Sequence, residues 1–266
     1  MRKVLVYLLI ALGIVASASN SWCFEAEENW QSRKSAYDLH ALNSSRFAIE
    51  NVSLNGVLTK AAKFVVQQGD TFRDTTGERA EVVLGGWEKT SKFKVQGNDG
   101  LEFYRISVRL DEKWLCPDVN HLGYKWGSIF QLHGPDGDRF SASVALMAED
   151  TFHLFLNGGD VEIPSGRRIG FLNGELNRGH WVDFILKTQW AIDSTGAISV
   201  FRRDEGDSLW REVLVLTGVP TLQYKGQELL KSHYWKVGYY RSESHHTNAL
   251  WIGRIVRGAS FEAVSE

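Results

Sequence analysis

The sequence is poor in cysteine, proline and net charge, and each shortage excludes something. Its two cysteines, Cys23 and Cys116, leave no Cys/His cluster with zinc-ligand spacing. Four prolines build no Pro/Ser-rich linker, so the chain reads as a single domain behind its N-terminal segment. A net charge of −2 gives no global field to draw in nucleic acid or an anionic membrane. A polyanionic ligand would need positive charge concentrated locally. No apolar run reaches the roughly 20 residues that cross a bilayer. The regular alternation of strands with helices that builds a parallel α/β sheet is also missing.

The N-terminus has a processing pattern. Met1-Arg2-Lys3 is followed by an apolar run from Val4 to Val15 and by Ala16-Ser17-Ala18. A positive start, a short apolar stretch and small residues before a cleavage point predict a signal peptide over residues 1–18, and hence a secreted or periplasmic protein. Both cysteines would survive cleavage. In an oxidising compartment they either pair, tying the N-terminal segment to the body, or remain as thiols. Residues 19–50 are polar and mixed, and read as a leader into a domain over residues 51–266.

Apolar residues make up 43% of the chain, and ten Trp stand beside eight Tyr and fourteen Phe. Flat rings suit sugar C–H faces but also fill sheet cores. From Ala48 onward short β-type runs alternate with turn residues. Leu101 to Leu110 predicts a long half-buried strand. Residues 141–147 and 151–156 predict one hairpin, and residues 181–190 and 197–202 another, across Asp193-Ser194-Thr195-Gly196. Many short strands, Gly-rich turns and no fixed repeat predict an all-β, antiparallel β-sandwich of the jelly-roll type.

Three segments place polar groups on alternate positions, which period two directs to one sheet face. Gln131 and His133 share a face while Phe130 and Leu132 take the other. Tyr234, Lys236, Gly238 and Tyr240 share a face, and Arg79 and Glu81 point one way. Amide, imidazole, ammonium, phenol and guanidinium groups on one face suit an acidic ligand better than a core. Taken singly each has a plainer role: a hydrogen-bonded surface histidine, the solvent side of an edge strand, or an ion pair within one strand.

Taken in order, Arg79-Ala80-Glu81, Gln131-Leu132-His133 and Tyr234-Trp235-Lys236-Val237-Gly238-Tyr239-Tyr240 resemble the jelly-roll polysaccharide lyases. These include alginate lyases, glucuronan lyases and the heparin lyase I type, which carry R-x-E, Q-x-H and Y-x-K-x-G-x-Y strands. The resemblance spans roughly residues 75–258, and Gly179 to Phe184 and Trp190 to Val200 are similar to the family's late hairpin. The glucuronan and heparin side matches best. Alginate lyases continue R-x-E-L-R, whereas Val83 stands where their second Arg would be.

The resemblance implies cleavage of a uronate polymer by β-elimination. The C5 proton is weakly acidic beside a carboxylate, so neutralising that carboxylate is the main requirement. It implies that Arg79, Gln131 and His133 do this, and that Tyr240 serves as acid and base. His133 would be the base where proton and leaving group lie on opposite faces. Lys236, Tyr234 and Glu81 would bind substrate, with Trp87, Lys125 and Trp126 at neighbouring sugar subsites or, for the indoles, in the core. An acidic polysaccharide is the expected partner of a monomer that binds no nucleic acid and, once processed, no membrane. No cofactor or metal is expected, although Asp136 and Asp138 lie in a turn that could lend oxygens to a structural calcium ion. Two rivals share the fold. One is a carbohydrate-binding sandwich without catalysis. The other is a glycoside hydrolase, which needs two flanking carboxylates and commonly carries them as E-x-D-x-x-E, a string absent here.

Overall fold

The computed structural model describes residues 24–32, 37–73, 77–84, 93–95, 100–119, 123, 125–133, 142–161, 168–171, 175–225, 228–229 and 233–266. The expected signal peptide lies outside them. In chain order the strands are β1 (Phe24–Glu28), β2 (Asp38–Ala41), β3 (Phe47–Leu54), β4 (Val57–Val66), β5 (Glu78–Val83), β6 (Lys94–Val95) and β7 (Leu101–Leu110). There follow β8 (Gly127–His133), β9 (Ala142–Ala148), β10 (Phe152–Leu156), β11 (Gly159–Asp160), β12 (Arg168–Phe171) and β13 (Trp181–Gln189). The last are β14 (Ala197–Asp204), β15 (Arg211–Thr217), β16 (Gln223–Lys225), β17 (Glu228–Leu229), β18 (His233–Arg241) and β19 (Asn248–Gly258), before a short helix α1 (Phe261–Ser265).

Two large antiparallel sheets form from these strands. The first runs β15-β14-β13-β7-β19-β4-β3, with β1 also on β19. The second runs β12-β10-β9-β8-β18-β5-β2, with β6 also on β18. A third, small sheet joins β11, β16 and β17. Neighbours such as β7 with β19 and β18 with β5 are far apart in sequence, the mark of the jelly-roll sandwich that the alternation predicts. Both expected hairpins form, β9 with β10 and β13 with β14.

The core lies between the inner faces of the two large sheets. Phe130 and Trp235 stack plane to plane at 4.1 Å, and Tyr104 leans on Trp235 at 4.9 Å. Phe130, Leu132, Trp235, Val237 and Tyr239 are all buried, and each such side chain stabilises by about 1.5–3 kcal/mol. This burial fixes the register of the second sheet. A slip of one residue would turn Trp235 outward and drive Lys236 into the core. The polar alternate positions of β5, β8 and β18 are thereby held on the opposite face.

Two expectations need correction. The described residues of the 19–50 segment are not a leader outside the fold. They carry β1, β2 and the first half of β3, so the boundary at residue 51 falls inside a strand. These strands lie at sheet edges, where one face stays wet and the residues read as polar and mixed. The strand Leu101–Leu110 is also buried on both faces along most of its length, not half-buried. Its outward Arg105 and Ser107 donate to Asp183, and Arg105 also donates to the Glu266 carbonyl oxygen. A buried arginine paired in this way reads as surface in a sequence pattern.

Candidate active site

The face of the second sheet turned away from the core carries a continuous polar row. Its positions follow from strand register. On β18, Tyr234 lies opposite His133 and Lys236 opposite Gln131. On the other side of β18, Gly238 lies opposite Glu81 and Tyr240 opposite Arg79. Antiparallel partners directly opposite share a face, so eight sequence-picked positions converge. The pairing of β18 with β8 shifts register between Val237 and Tyr240, a bulge that sets the angle at which Tyr240 leaves the strand. Glycine is required at 238. Its φ is +139°, and a Cβ there would lie 2.2 Å from the Ala80 carbonyl oxygen, closer than any packed contact.

Glu81 is the hub. It is 1% exposed, and its two oxygens are committed. Gln131 Nε2 donates to Oε1, while Oε2 takes Lys236 Nζ at 3.0 Å and faces Arg79 Nη1 at 3.7 Å. Burial alone would push this carboxyl up; the charges of Lys236 and Arg79 and the two side-chain hydrogen bonds outweigh it and hold it below the usual range. Burial likewise pushes the Lys236 ammonium down, against the pull of Glu81. Glu81 thus sits between two cations, and Asp38, opposite Val83 on the same face, sets a second carboxylate near Lys236.

At one end the Arg79 guanidinium lies 3.6 Å from the centre of the Tyr240 ring. Trp126 closes on the same ring edge to face at 4.3 Å. At the other end His133 and Tyr234 stack at 5.2 Å. The five residue steps along β8 from Ser128, opposite Tyr240, to His133 span on the order of 17 Å. Tyr240 and His133 therefore mark opposite ends of the row, several sugar rings apart, with Arg79, Glu81, Lys236 and Gln131 between them.

This geometry redistributes the expected roles. Glu81 and Lys236, at 1% and 2% exposed, spend themselves on one another and on their neighbours. Those contacts place Glu81 and Lys236 to hold Arg79 and Gln131 in position. Lys236 cannot be an edge-strand residue either, since β18 is central with β8 and β5 on its flanks. Trp126 packs on Tyr240, whereas Lys125 forms an exposed ion pair with Asp150. Trp87 lies outside the described residues, as do Asp136 and Asp138, the turn considered for calcium. Among the described residues no cluster of three or more His, Cys, Asp or Glu could hold a metal. Cys116 carries a free thiol, which burial pushes up to about 11 with further lift from the neighbouring Asp150 carboxylate. Cys23 lies outside the described residues.

The sequence reading missed His40. It sits on β2 directly opposite Glu81, and its ring stacks on Phe72 at 4.9 Å. Burial, then the Lys236 charge, lowers its pKa to about 4 against the opposing pull of Glu81 and Asp38, so a neutral imidazole joins the row near neutral pH. The signal was present as Asp38-Leu39-His40-Ala41, one polar–apolar alternation four residues long. Glu149 was missed too. Burial raises its carboxyl to about 7, although it accepts the Gly127 backbone N–H next to Ser128, the partner of Tyr240.

With this geometry in hand, comparison with known proteins is informative. The profile of the polysaccharide lyase family matches residues 21–256. No curated protein sequence matches the chain. Among solved structures, an endo-β-1,4-glucuronan lyase from the fungus Trichoderma reesei is similar at 18% identity, over 91% of this chain and 98% of that one, with a TM-score of 0.63. A marine alginate lyase from Aplysia kurodai is similar at 7% identity, over 90% and 100% of the two chains, with a TM-score of 0.55. An alginate lyase from Pseudomonas aeruginosa is similar at 12% identity, over 86% and 100%, with a TM-score of 0.50. At these identities the structures establish a shared fold.

Proposed function

The chain belongs to the polysaccharide lyase family, and on that premise we propose that it is an exported enzyme cleaving a glucuronan-type uronate polymer by β-elimination. One observation carries the reading: a guanidinium stacked on a tyrosine ring, Arg79 over Tyr240 at 3.6 Å, at the end of the polar row. A tyrosine acts as a base only after losing a proton, ordinarily near pH 10, and a fixed cation against the ring favours the phenolate. Lys236, being bound to Glu81, is less suited to that task than Arg79.

The reaction then runs as follows. Arg79 and Gln131 receive the uronate carboxylate and offset the charge that builds up as the C5 proton leaves. The Tyr240 oxygen takes that proton. The C5–H electrons form the C4–C5 double bond, the C4–O4 bond breaks, and O4 departs with the proton returned from Tyr240. In a 4-linked β-D-glucuronate residue the C5 proton and O4 lie on the same side of the ring, so one group can serve both steps. In guluronate they lie on opposite sides, and a second group across the ring is needed. The separation of His133 from Tyr240 favours the first case and leaves His133 as a contact for a neighbouring sugar. Val83, at the position of the second Arg in alginate lyases, and the likeness to a glucuronan lyase fold support the same choice.

Product mass tests this directly. The purified mature protein would be incubated with polyglucuronate, alginate, heparin, heparan sulfate, hyaluronan and chondroitin sulfate. Elimination gives fragments one water lighter than hydrolysis. Unsaturated fragments from polyglucuronate are expected. Saturated fragments would instead indicate a hydrolase. Intact polymers with tight binding would indicate a carbohydrate-binding sandwich.

A further inference from the structure

The opposite sheet carries a second row that the proposed reaction does not use. On the outer face of the first sheet, Lys63 of β4, Trp251 of β19, Arg109 of β7 and Trp181 of β13 lie directly opposite one another across four adjacent strands. At about 4.8 Å per strand the row is about 14 Å wide. Cations and rings alternate along it. Lys63 Nζ lies 4.9 Å from the Trp251 ring, and the Arg109 guanidinium lies 4.4 Å from Trp251 and 5.2 Å from Trp181.

Both indoles are pinned at their edges. Trp251 Nε1 donates to Glu50 at 2.9 Å, and Trp181 Nε1 donates to the Ser53 carbonyl oxygen at 2.8 Å. Trp181 is buried and forms a wall, while Trp251 is half-buried. Elsewhere this face neutralises its own arginines. Arg105 and Arg203 pair with Asp183, Arg254 with Glu27 and Arg257 with Glu102. Arg109 differs: half-buried, it makes no ion pair or hydrogen bond among the described residues, although its charge acts at longer range on the Glu50 carboxylate. The nearby carboxylates are already engaged. Glu50 holds Lys63 and the Trp251 indole, and Glu205 holds the Trp181 backbone N–H and His180.

A guanidinium held over a fixed indole with its donors unspent is a combination that binds a carboxylate-bearing sugar: the ring holds the fork in place and the fork takes the anion. We infer that the outer face of the first sheet is a second, non-catalytic binding strip for an acidic polysaccharide, with Arg109 as the carboxylate ligand and Trp251 as the ring that holds it in place. Such a strip would hold the enzyme on a polymer while the far sheet cuts. The choice of ligand class rests on the proposed substrate, whereas the strip itself does not.

Affinity electrophoresis through gels containing polyglucuronate tests the inference, with Tyr240→Phe as the background so that the polymer survives the run. Arg109→Gln is expected to weaken binding about tenfold, the worth of one charge-assisted hydrogen bond, Trp251→Ala by a similar factor because it removes the ring that holds the guanidinium, and Arg109→Lys to fall between. In the otherwise unaltered enzyme the same changes are expected to leave kcat/KM on short uronate oligosaccharides unchanged. Full retardation in variants that unfold at the parental temperature would overturn the strip. So would equal retardation by a neutral β-1,4-glucan, or oligosaccharide rates that fall in step with binding. Should Trp251→Ala fail to fold, Arg109→Gln carries the test alone. Failure of the catalytic reading would be seen separately, as polyglucuronate left intact or cut to saturated fragments by the unaltered enzyme.

Discussion

At the scale of single residues, the buried pair of Glu81 and Lys236 governs the site without facing substrate. Removing one partner of such a pair strands the other charge in a low-dielectric setting and costs about 3–5 kcal/mol, whereas replacing both with apolar groups is often neutral. Lys236→Met is thus expected to lower the unfolding free energy by about 3 kcal/mol, and Lys236→Met with Glu81→Leu to recover much of it. Both should lose activity, because Arg79 and Gln131 lose the carboxylate that orients them. Urea unfolding beside rate measurements checks this, and a single variant as stable as its parent would contradict it. His40 adds a dependence on pH. Its folded pKa of about 4 lies below its ordinary value of about 6.5, so the unfolded chain binds the extra proton first as pH falls. Its contribution to stability is level above about 6.5 and is lost progressively towards 4. The slope of unfolding free energy against pH in that window should be shallower in His40→Gln. Parallel curves would refute the shift. Period two made Gln131, His133, Lys236 and Tyr240 legible, whereas β2 is too short for two residues to stand out.

Elements carry the next level of constraint. β18 is the strand on which the site depends, since it pairs with β8 on one side and β5 on the other. Gly238 lets it approach β5 closely enough for Arg79 to reach the Tyr240 ring. Gly238→Ala would place a methyl 2.2 Å from the Ala80 carbonyl oxygen in a backbone conformation unfavourable to L-residues. A loss of more than about 2 kcal/mol is expected, with activity falling further than stability because Tyr240 is re-aimed. A variant with native stability and rate would show that the close approach is dispensable. Strands with a buried face over six or more residues, such as β7, β13 and β19, were readable from the apolar pattern. The edge strands β1 and β2 were not, because their wet faces interrupt it, and residues 19–50 therefore read as a leader.

For the molecule as a whole, the two proposed tasks fall on the two outer faces of the sandwich. The shared core is apolar, and the register it enforces holds Arg79, Gln131 and Tyr240 on one side and Lys63, Trp251 and Arg109 on the other. Sequence pattern revealed the first set, because its members recur at alternate positions within single strands. It concealed the second, which is assembled one residue per strand across β4, β19, β7 and β13 and has no signature along the chain. The same applies to the Glu81 hub, whose partners come from β5, β8 and β18. Across-strand chemistry becomes visible only once the register is known.

The central claim is that Tyr240, held against Arg79, performs the elimination, and its most direct test is the rate at which the conjugated C4–C5 double bond appears in polyglucuronate, followed by ultraviolet absorbance. Wild-type protein should produce a steady rise, and Tyr240→Phe should slow it by about a thousandfold, within the range for loss of a general acid–base group, while retaining the parental unfolding temperature. A Tyr240→Phe protein that generates the double bond at the wild-type rate would remove Tyr240 from the chemistry and contradict the claim.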